Sequence, residues 1–446
     1  MYSICSSCLA TRWAVMNFPI SGLGGDHPRS SVTPGHEVCV RHRRSALFLN
    51  RSYWPDVEAT GQLLTSLCEG LTPEFDVRVL AGLPNAVVGH AEVPDWNAAS
   101  ERNGVRIHRV AHTAFPKKSL IGKGVNFLSF AWAARSALKS IQTPDVVVFE
   151  TDPFLLAFAA NRLQRRTNCK MIGYLQDIYP DVAVALGKVG NNWAVRRLRS
   201  SLFDIYRRCD QMVVLSQDMA HLLIDGGVPK ERISIVPNWA DTQQITPIEG
   251  RNCFRERHQL GTRFVAMYSG NLGLTQRLEE FVQAAQLLKD CRDIVFAFVG
   301  RGNQEAALRN LVRSNGLPNV LFFDYQSQSE LCHSLSAASL HLVPLTTSLS
   351  RCLMPSKLYG ILAAGRPFLT NAPEGSELHT IAATHHVGLT VKAGSPQAIA
   401  DQIKWAACHP AELEVMGRNS RQLAIAQYSK EHSVARFHDI MQEVLT

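Results

Sequence analysis

The sequence predicts an α/β protein made of two doubly wound, Rossmann-like parallel-sheet domains, and three observations carry this prediction. The chain of 446 residues is too long for one ordinary core and suits two domains of roughly 200 residues each. From residue 45 onward, short apolar runs alternate with helix-length amphipathic segments, which is typical of a parallel sheet covered on both faces. The alternation stops in a polar stretch at 237–262 and then restarts, so the chain divides into two such units.

The first 44 residues lack this pattern. They have no positively charged start before an apolar stretch, so they make a poor secretory signal, and residues 21–30 have the composition of a loop. We interpret residues 1–44 as a disordered extension or as the product of a misplaced start codon.

The first predicted domain covers residues 45–243. Its apolar runs predict strands buried on both faces at 46–50, 76–80, 145–149, 170–174 and 211–215. Helix-length segments between them predict helices at 57–71, 125–140, 153–166 and 192–208.

The second predicted domain covers residues 244–428. Its strands are expected at 264–268, 294–298, 320–323 and 340–343, and its helices at 278–289, 303–314, 355–364 and 396–408. A last helix within 429–446 is expected to pack back on the first domain. Open parallel sheets bind ligands at the carboxyl ends of their strands, so the two domains would place two half-sites across a cleft.

Composition and charge exclude several classes of protein. An apolar fraction of 46% with 19% charged residues argues against a disordered or fibrous chain. No window holds the ~18 consecutive apolar residues that a membrane span needs, so any membrane contact is expected to be peripheral. The net charge of +8 comes from basic residues spread along the chain without interleaved aromatic residues. This disfavours nucleic acid as a partner and suits anionic lipid or polyphosphate ligands.

Cysteine and histidine usage indicates the compartment. The eleven cysteines do not form a disulfide framework, and the sixteen histidines show no metal-ligand spacing. We therefore expect a cytoplasmic protein with no bound metal and no cofactor.

Three strand-to-helix turns in the second domain have the form that a polyphosphate needs. Residues 268–273 (YSGNLG) and 299–302 (VGRG) each follow a predicted strand and precede a predicted helix. Their glycines, Gly270 and Gly300 among them, let the backbone approach a ligand closely. One such glycine turn is weak support for a phosphate-binding site, and a second turn of the same form strengthens that support.

The third turn opens the segment 354–367. This segment begins with a proline suited to a first helical turn and ends with a glycine and a proline. Ser356 and Lys357 would then lie at a helix start, where free N–H groups and the helix dipole attract an anion. The alternative is a solvated lysine near a helix start. In either case we expect Lys357 to be exposed and to contribute little to folding.

Six segments together resemble glycosyltransferase family 4, whose members have the GT-B fold. They are 53–62 (YWPDVEATGQ), 174–181 (YLQDIYPD), 236–241 (VPNWAD), 268–273 (YSGNLG), 355–360 (PSKLYG) and 364–367 (AGRP). They occur in the family's order and span nearly the whole chain. The resemblance is closest to bacterial enzymes that transfer fucosyl or N-acetylfucosaminyl groups in exopolysaccharide and O-antigen assembly.

The resemblance implies a retaining sugar transfer from a nucleotide diphosphate donor to a glycan or polyprenyl-diphosphate-linked acceptor. The absence of an Asp-x-Asp pair, which could hold a divalent ion against a diphosphate, predicts that this transfer is metal-independent. It assigns the acceptor to the first domain and the donor, a co-substrate, to the second. The expected catalytic residues are Lys357, Asp177 and Asn271. The expected donor-binding residues are Gly61, Gly270, Ser356, Arg277, Gly300 and Glu377. Asp177 would contact the donor sugar or the acceptor hydroxyl, or else act as a capping residue in a turn.

Several positions depart from the family pattern. They are Cys352 and Gly360 (usually Glu), Asn271 and Gln276 (usually Arg and Lys) and Gln176 (usually His). Because Gly360 cannot bind the ribose as the family's glutamate does, Glu374 and Glu377 are candidates for that role, with a first-turn acid of a helix as the alternative for Glu377. Two alternatives therefore stay open: a catalytically silent sugar-nucleotide-binding partner protein, and a nucleotide-sugar epimerase.

Two basic clusters in the first domain suggest a membrane surface as partner. The predicted helix at 192–208 has an apolar stripe opposite a basic side. The basic residues are Arg196, Arg197, Arg199, Arg207 and Arg208 in this helix, and Lys117, Lys118 and Lys123 form a second cluster ahead of the predicted helix at 125–140. They would bring the protein to anionic lipid at the inner face of the cell membrane, or they form a solvated surface.

Overall fold

The computed structural model describes residues 43–56, 58–84, 100–115, 120–273 and 276–446. The predicted N-terminal extension lies outside this part of the chain, except for its last two residues. Lys117 and Lys118 also lie outside it, as does the side chain of Lys123. Residues 43–446 form one compact unit with two lobes, each built around its own sheet.

The amino-terminal lobe has, within the described residues, an eight-stranded sheet in the order β3-β4-β2-β1-β5-β6-β7-β8. Its strands are β1 (Arg44–Leu49), β2 (Phe75–Gly82), β3 (Ser100–Arg102), β4 (Val105–Val110), β5 (Val146–Phe149), β6 (Lys170–Leu175), β7 (Gln211–Val214) and β8 (Ile233–Ile235). All neighbours pair in parallel except β3, which runs antiparallel to β4 at the edge. Residues 46–49 of β1 and all four residues of β5 are apolar and buried, as expected for central strands covered on both faces.

Two layers of helices cover this sheet. The helices are α1 (Ala59–Leu71), α2 (Leu120–Ala137), α3 (Leu156–Thr167), α4 (Asp181–Ala185), α5 (Trp193–Tyr206) and α6 (Gln217–Asp225). Helix α2 packs against α3, and α3 packs against α5, so these three form one layer. Right-handed crossovers put α1 on the opposite face, because it connects strands in the opposite direction across the sheet.

The carboxyl-terminal lobe has, within the described residues, a six-stranded parallel sheet in the order β11-β10-β9-β12-β13-β14. Its strands are β9 (Phe264–Ser269), β10 (Ile294–Val299), β11 (Val320–Phe323), β12 (Leu340–Leu342), β13 (Phe368–Thr370) and β14 (Gly388–Thr390). Its helices are α7 (Cys253–Arg257), α8 (Glu279–Leu287), α9 (Glu305–Ser314), α10 (Leu331–Ser336), α11 (Lys357–Ala363), α12 (Glu377–Thr384), α13 (Pro396–Cys408) and α14 (Pro410–Gln427).

The last helix, α15 (Lys430–Leu445), leaves the second lobe and packs on α1 of the first. Its fully buried Phe437 contacts the rings of Phe48 and Tyr174, with centroids 6.2 and 5.2 Å away. The Ser433 hydroxyl donates to the Pro237 carbonyl at 3.3 Å. The end of the chain thus completes the core of the amino-terminal lobe.

The predicted fold class is confirmed: the protein has two doubly wound parallel-sheet lobes. Each predicted strand overlaps a strand of the structure, but β3, β4, β8, β13 and β14 were not predicted. Four of these are only three residues long, and β4 (VRIHRV) carries the charged residues that protect positions near a sheet edge. Their apolar runs were therefore too short or too interrupted to stand out. Across the described part of the chain, no helix has the length and apolarity needed to cross a membrane.

Candidate functional site

A pocket of about 280 Å³ lies where strands from both lobes end. Its walls come from the segments that follow β6, β9 and β12, because parallel strands present their carboxyl ends at one edge of a sheet. Its lining residues are Asp177, Tyr268, Gly270, Asn271, Gln276, Pro344, Leu345, Leu349, Leu353, Met354, Pro355, Ser356 and Lys357. One side is thus the turn after β6, and the other is formed by the second lobe.

Backbone pairing joins the two lobes at the pocket. Asp177 and Leu353 form an isolated antiparallel β-bridge. Beside it, the Ile178 N–H donates to the Cys352 carbonyl at 2.9 Å. This pairing holds the Asp177 side of the pocket against the segment that leads into α11.

The ammonium group of Lys357 is the strongest electrostatic feature of the second-lobe wall. Its Nζ atom is buried and has no hydrogen-bond partner among the described residues. It lies 3.5 Å from the ring centroid of Tyr268, in a cation–π contact. Burial lowers the pKa of the Lys357 ammonium well below its usual range. The expectation that Lys357 is an exposed lysine at a helix start was therefore wrong, because Tyr268 and the glycine turn cover its charged end.

The two glycine turns pack directly on each other beneath this lysine. At Gly270, φ is 138°, and a Cβ atom there would lie 3.4 Å from the Nζ atom of Lys357. At Gly300, φ is 134°, and a Cβ atom there would lie 2.1 Å from the carbonyl oxygen of Gly270. Gly270 therefore opens space beside the ammonium, and Gly300 supports the first turn from behind without lining the pocket.

Asn271 and Ser356 are the exposed polar residues on this wall. The hydroxyl of Tyr268 donates to the Asn271 carbonyl at 2.7 Å, which fixes the turn that carries the Asn271 side chain. Ser356 is the N-cap residue of α11, directly before Lys357. Amide, hydroxyl and ammonium donors thus converge on one side of the pocket, an arrangement suited to an anion.

Asp177 faces these donors from the first lobe. Burial, together with the charge of Asp152, raises the pKa of the Asp177 carboxyl to about 6. Its backbone N–H lies 3.4 Å from the Thr151 hydroxyl. The carboxyl group therefore changes its charge near neutral pH rather than in strong acid.

A partly buried ion-pair cluster lies near Asp177, and the sequence did not indicate it. The guanidinium of Arg51 contacts Asp152 and Glu58 at 2.8 Å each. The Ser52 hydroxyl donates to the same two carboxylates, at 3.1 and 2.7 Å. These residues follow β1 and β5, which are neighbours in the sheet although 100 residues apart in sequence. Only the pairing of those strands could have revealed the cluster.

A second buried network includes Gln176, the position where the family usually has histidine. The Asn238 amide donates to Gln176 Oε1 at 2.8 Å, and the Tyr174 hydroxyl lies 3.4 Å from Asn238 Oδ1. Glu150 lies near Gln176, and burial raises the pKa of the Glu150 carboxyl well above its usual range. Gln176 is therefore held inside the first lobe and does not line the pocket.

The remaining predicted donor-binding residues lie outside the pocket lining. Gly61 is in the first turn of α1, packed against the backbone of Ser52. Arg277 pairs with Glu280 at 2.9 Å. The carboxylate of Glu377 accepts a 3.2 Å hydrogen bond from the Gln217 N–H, across the two lobes.

Gly360 is separated from the lining as well. A Cβ atom there would face the side chains of Leu335 and Ile245 at 3.5 and 3.9 Å. Cys352 is buried beside the β-bridge between the lobes. In the described part of the chain, no group of three or more His, Cys, Asp or Glu residues is arranged to hold a metal ion.

The sequence also missed the pocket wall formed by residues 344–353. This segment has no regular structure, and its apolar residues Leu345, Leu349 and Leu353 give no chemical signal. Its position directly after the predicted strand at 340–343 was the available signal, because ligands lie beyond the carboxyl ends of such strands.

The fold and pocket define the class of protein: two Rossmann-like lobes that share a polar pocket at their facing strand ends are a GT-B architecture. A solved structure of Anabaena Alr3699/HepE in complex with UDP has the same fold. It matches with a TM-score of 0.68 at 12% identity and covers 90% of this chain and 100% of that one.

Sequence comparisons agree with this fold. The glycosyl transferase 4-like domain family matches residues 59–239, and the glycosyl transferases group 1 family matches residues 251–423. WcaI of Escherichia coli K12, named as a colanic acid biosynthesis glycosyl transferase, is 25% identical over 403 residues, or 86% of this chain and 97% of WcaI. WbjE of Pseudomonas aeruginosa, named as a glycosyltransferase, is 25% identical over 337 residues, or 74% of this chain and 82% of WbjE. The chain belongs to glycosyltransferase family 4.

Proposed function

We propose that this glycosyltransferase moves a sugar, with retention, from a nucleoside diphosphate donor to a glycan or lipid-linked acceptor of a cell-surface polysaccharide. The buried ammonium of Lys357 carries this proposal. A buried cation without a hydrogen-bond partner is unfavourable, and an anion placed beside it would relieve that cost. The diphosphate of a nucleotide sugar is an anion of suitable size for a pocket of about 280 Å³.

The relatives support the choice of substrates. HepE was solved with UDP, and the name of WcaI refers to colanic acid biosynthesis. We infer a nucleoside diphosphate sugar as donor, with a fucosyl or N-acetylamino-deoxyhexosyl group as the expected sugar. A polyprenyl-diphosphate-linked acceptor would put the enzyme at the inner face of the cell membrane.

The proposed mechanism uses electrostatic stabilisation of the leaving group. As the bond between the anomeric carbon and the diphosphate breaks, its electron pair passes to a diphosphate oxygen, and negative charge grows there. The acceptor hydroxyl oxygen forms the new bond to the anomeric carbon, and its proton passes to the departing diphosphate. Lys357, Ser356 and Asn271 are the donors proposed to stabilise that charge, which they do best if already fixed in position. Asp177, on the opposite wall, would contact the donor sugar or the acceptor hydroxyl. No cofactor takes part in this scheme.

The first experiment is a screen of UDP-, GDP- and dTDP-sugars by thermal melting. A donor present at about 100 times its dissociation constant should stabilise the protein by about 2.7 kcal/mol. The matched control is Lys357→Met, which keeps the shape of the side chain and removes its charge. Stabilisation of the wild type and not of this variant would support diphosphate binding at the pocket.

Product analysis then separates the proposal from its alternatives. Transfer of the sugar to an added acceptor, with the anomeric configuration of the donor, supports a retaining glycosyltransferase. Conversion of the donor to an isomer without an acceptor would identify an epimerase. Donor binding without turnover against a panel of acceptors would favour a silent partner protein.

A further inference from the structure

Two helices, one from each lobe, meet at their amino-terminal ends. Helix α6 follows β7 in the first lobe and begins at Gln217, and helix α12 follows β13 in the second lobe and begins at Glu377. The Glu377 N–H donates to the Asp218 carboxylate at 2.8 Å, and the Gln217 N–H donates to the Glu377 carboxylate at 3.2 Å. At each helix start, a backbone N–H thus donates to a first-turn carboxylate of the other helix.

This exchange is favourable because a helix start lacks hydrogen-bond acceptors of its own. The first N–H groups of a helix have no acceptor within the helix, and the helix dipole makes this end partly positive. In α12 the N-cap residue Ser376 does not fill the gap, since its hydroxyl donates to the Pro373 carbonyl and accepts no hydrogen bond from the helix. Asp218 of the other lobe therefore supplies the capping carboxylate for α12.

The surroundings of the two carboxylates make the exchange depend on both lobes. Glu377 and Asp218 are half-buried, so water and salt weaken their hydrogen bonds less than those of exposed groups. Burial raises the pKa of the Glu377 carboxyl, the hydrogen bond from the Gln217 N–H opposes this rise, and the charge of Asp218 adds to it. Neighbouring carboxylates repel each other, and the two helix starts offset that repulsion only while they stay in contact.

A second contact between the lobes lies at the other end of α6. Asp225, the last residue of this helix, forms an ion pair with Arg351, which belongs to the segment 344–353 that forms one wall of the pocket. The two side chains are 62% and 47% exposed, and such exposed pairs contribute little. Helix α6 is therefore attached to the second lobe at both ends, and mainly at its start.

The pocket needs groups from both lobes in fixed positions. Asp177 comes from the first lobe, and Lys357, Ser356 and Asn271 come from the second. The β-bridge between Asp177 and Leu353 is one local contact, about which a lobe can still rotate. A second contact elsewhere on the lobe boundary restricts that rotation, and the paired helix starts of α6 and α12 provide one.

We infer that Glu377 and Asp218 form a cross-lobe pair that holds Asp177 opposite the Lys357 wall of the pocket. Both are positioning residues, since neither is among the residues that line the pocket, and both act through the angle between the lobes. This role differs from the ribose contact considered for Glu377 from the sequence. Titration with a nucleotide separates the two roles, because a ribose ligand would bind nucleotide directly and a positioning residue would not.

The inference rests on the proposed function only where it concerns sugar transfer. The contact between the helix starts involves no substrate, so its effect on the shape of the protein can be measured without one. Its effect on transfer requires a working enzyme and is measured separately.

Small-angle X-ray scattering of the full chain tests the cross-lobe pair. Glu377→Ala and Asp218→Ala should each give a larger radius of gyration than the wild type, because the lobes separate more often. Glu377→Gln should lie between them and the wild type, since its amide oxygen can still accept from the Gln217 N–H. Glu412→Ala is the matched control and should scatter like the wild type, because Glu412 is an exposed first-turn acid of α14.

Nucleotide titration and kinetics show whether the pair acts on the nucleotide or on the lobes. The groups proposed to contact the diphosphate all belong to the second lobe, so Glu377→Ala and Asp218→Ala should bind UDP or GDP within about twofold of the wild type. Their kcat/KM for transfer should fall about fivefold to tenfold, because fewer molecules have both pocket walls in place. Loss of nucleotide binding in Glu377→Ala but not in Asp218→Ala would identify Glu377 as a nucleotide ligand and overturn the inference.

Three further outcomes separate this inference from the proposed function and from a purely structural role. If the radius of gyration rises in both alanine variants but the wild type transfers no sugar, the cross-lobe pair stands and the proposed function fails. If the wild type transfers sugar and both variants keep its radius and its activity, the function stands and the inference is wrong. Variants that lose activity only in proportion to a lower Tm would show that the two residues merely stabilise their helices, which also overturns it.

Discussion

The Nζ atom of Lys357 lies 3.5 Å from the centroid of the Tyr268 ring, and it has no hydrogen-bond partner among the described residues. The same tyrosine donates its hydroxyl to the Asn271 carbonyl at 2.7 Å. One aromatic side chain therefore positions both the cation and the turn that faces it. The contact with the ring partly offsets the burial of the charge, and the pocket leaves room for an anion to offset the rest.

Removing the Lys357 charge should separate catalysis from folding. Lys357→Ala should lower kcat and kcat/KM by comparable factors of about a hundredfold or more, because a fixed donor to the leaving group is removed. Lys357→Arg should rescue only partly, since a planar guanidinium does not replace a compact ammonium. Lys357→Met should melt at or above the wild-type Tm, because it removes a buried charge and keeps the packing. Steady-state transfer beside thermal melts measures both effects.

Wild-type turnover in Lys357→Ala would remove this lysine from the mechanism. A loss of activity that appears only in variants that unfold would do the same. Lys357→Met separates loss of the charge from unfolding, because its side chain fills the same space and leaves no cavity.

Binding of a nucleoside diphosphate should take up protons through Lys357. Burial lowers the pKa of this ammonium in the free protein, and a diphosphate beside it should raise that pKa again. At any pH where this group is partly deprotonated in the free protein, the complex should therefore bind more protons than the free protein. Calorimetric titration with UDP and GDP in buffers of different ionisation enthalpy measures this uptake. The idea fails if Lys357→Met takes up as many protons as the wild type.

The fold was predictable because its signals are local. Apolar runs such as 46–50 and 145–149 mark buried strands, and Gly270 and Ser356 mark turns by their residue types alone. The burial of Lys357 was not predictable, since it depends on Tyr268, 89 residues earlier in the chain, and the sequence-based expectation of an exposed lysine failed for that reason.

Contacts between segments that are distant in the sequence could not be predicted either. Arg51 and Asp152 meet only because β1 and β5 are neighbours, and Asp177 meets Leu353 only because the lobes touch there. The periodicity of apolar residues predicts which segments form strands, but it does not predict which strands are neighbours in the sheet. The polar cluster behind the pocket therefore needed the structure.

Adding one carbon at Gly300 should disrupt the donor side of the pocket. A Cβ atom there would lie 2.1 Å from the Gly270 carbonyl oxygen, and the φ of 134° is unfavourable for alanine. Gly300→Ala should cost about 2–4 kcal/mol of stability and weaken UDP binding at least about tenfold. Thermal melts and UDP titrations measure both.

Gly316→Ala is the control for this change. Its φ is 56°, and a Cβ atom there would meet nothing within 4 Å, so it tests the addition of a methyl group to a positive-φ glycine without the clash. This variant should bind UDP like the wild type. If Gly300→Ala also binds normally, the two turns do not support each other as the packing indicates.

Transfer should persist in excess EDTA. The sequence has no Asp-x-Asp pair to hold a divalent ion against a diphosphate, and the proposed mechanism gives the neutralising role to Lys357 and neighbouring donors. Activity is measured with and without the chelator. Loss that magnesium or manganese restores would contradict this prediction.

Activity should fall in acid with the titration of Asp177. Burial and the charge of Asp152 raise the pKa of its carboxyl to about 6, so if the ionised form contacts substrate, kcat/KM should decline below about pH 6. Asp177→Asn should lose most of its activity, and its kcat/KM should no longer decline below about pH 6.

Ionisation of the Asp177 carboxyl should support activity but reduce the stability of the folded protein. The folded protein holds the Asp177 proton more tightly than the unfolded chain, whose carboxyl has a pKa of about 3.9, so this group reduces stability as pH rises from about 4 to about 6. The loss reaches about 3 kcal/mol at most and stays constant above that window. Asp177→Asn should therefore melt at a higher temperature than the wild type at pH 7, and the difference should shrink towards about pH 4. Melts and pH–rate profiles of both proteins test this together. A variant that is inactive and also less stable at neutral pH would mean that Asp177 has a structural role instead.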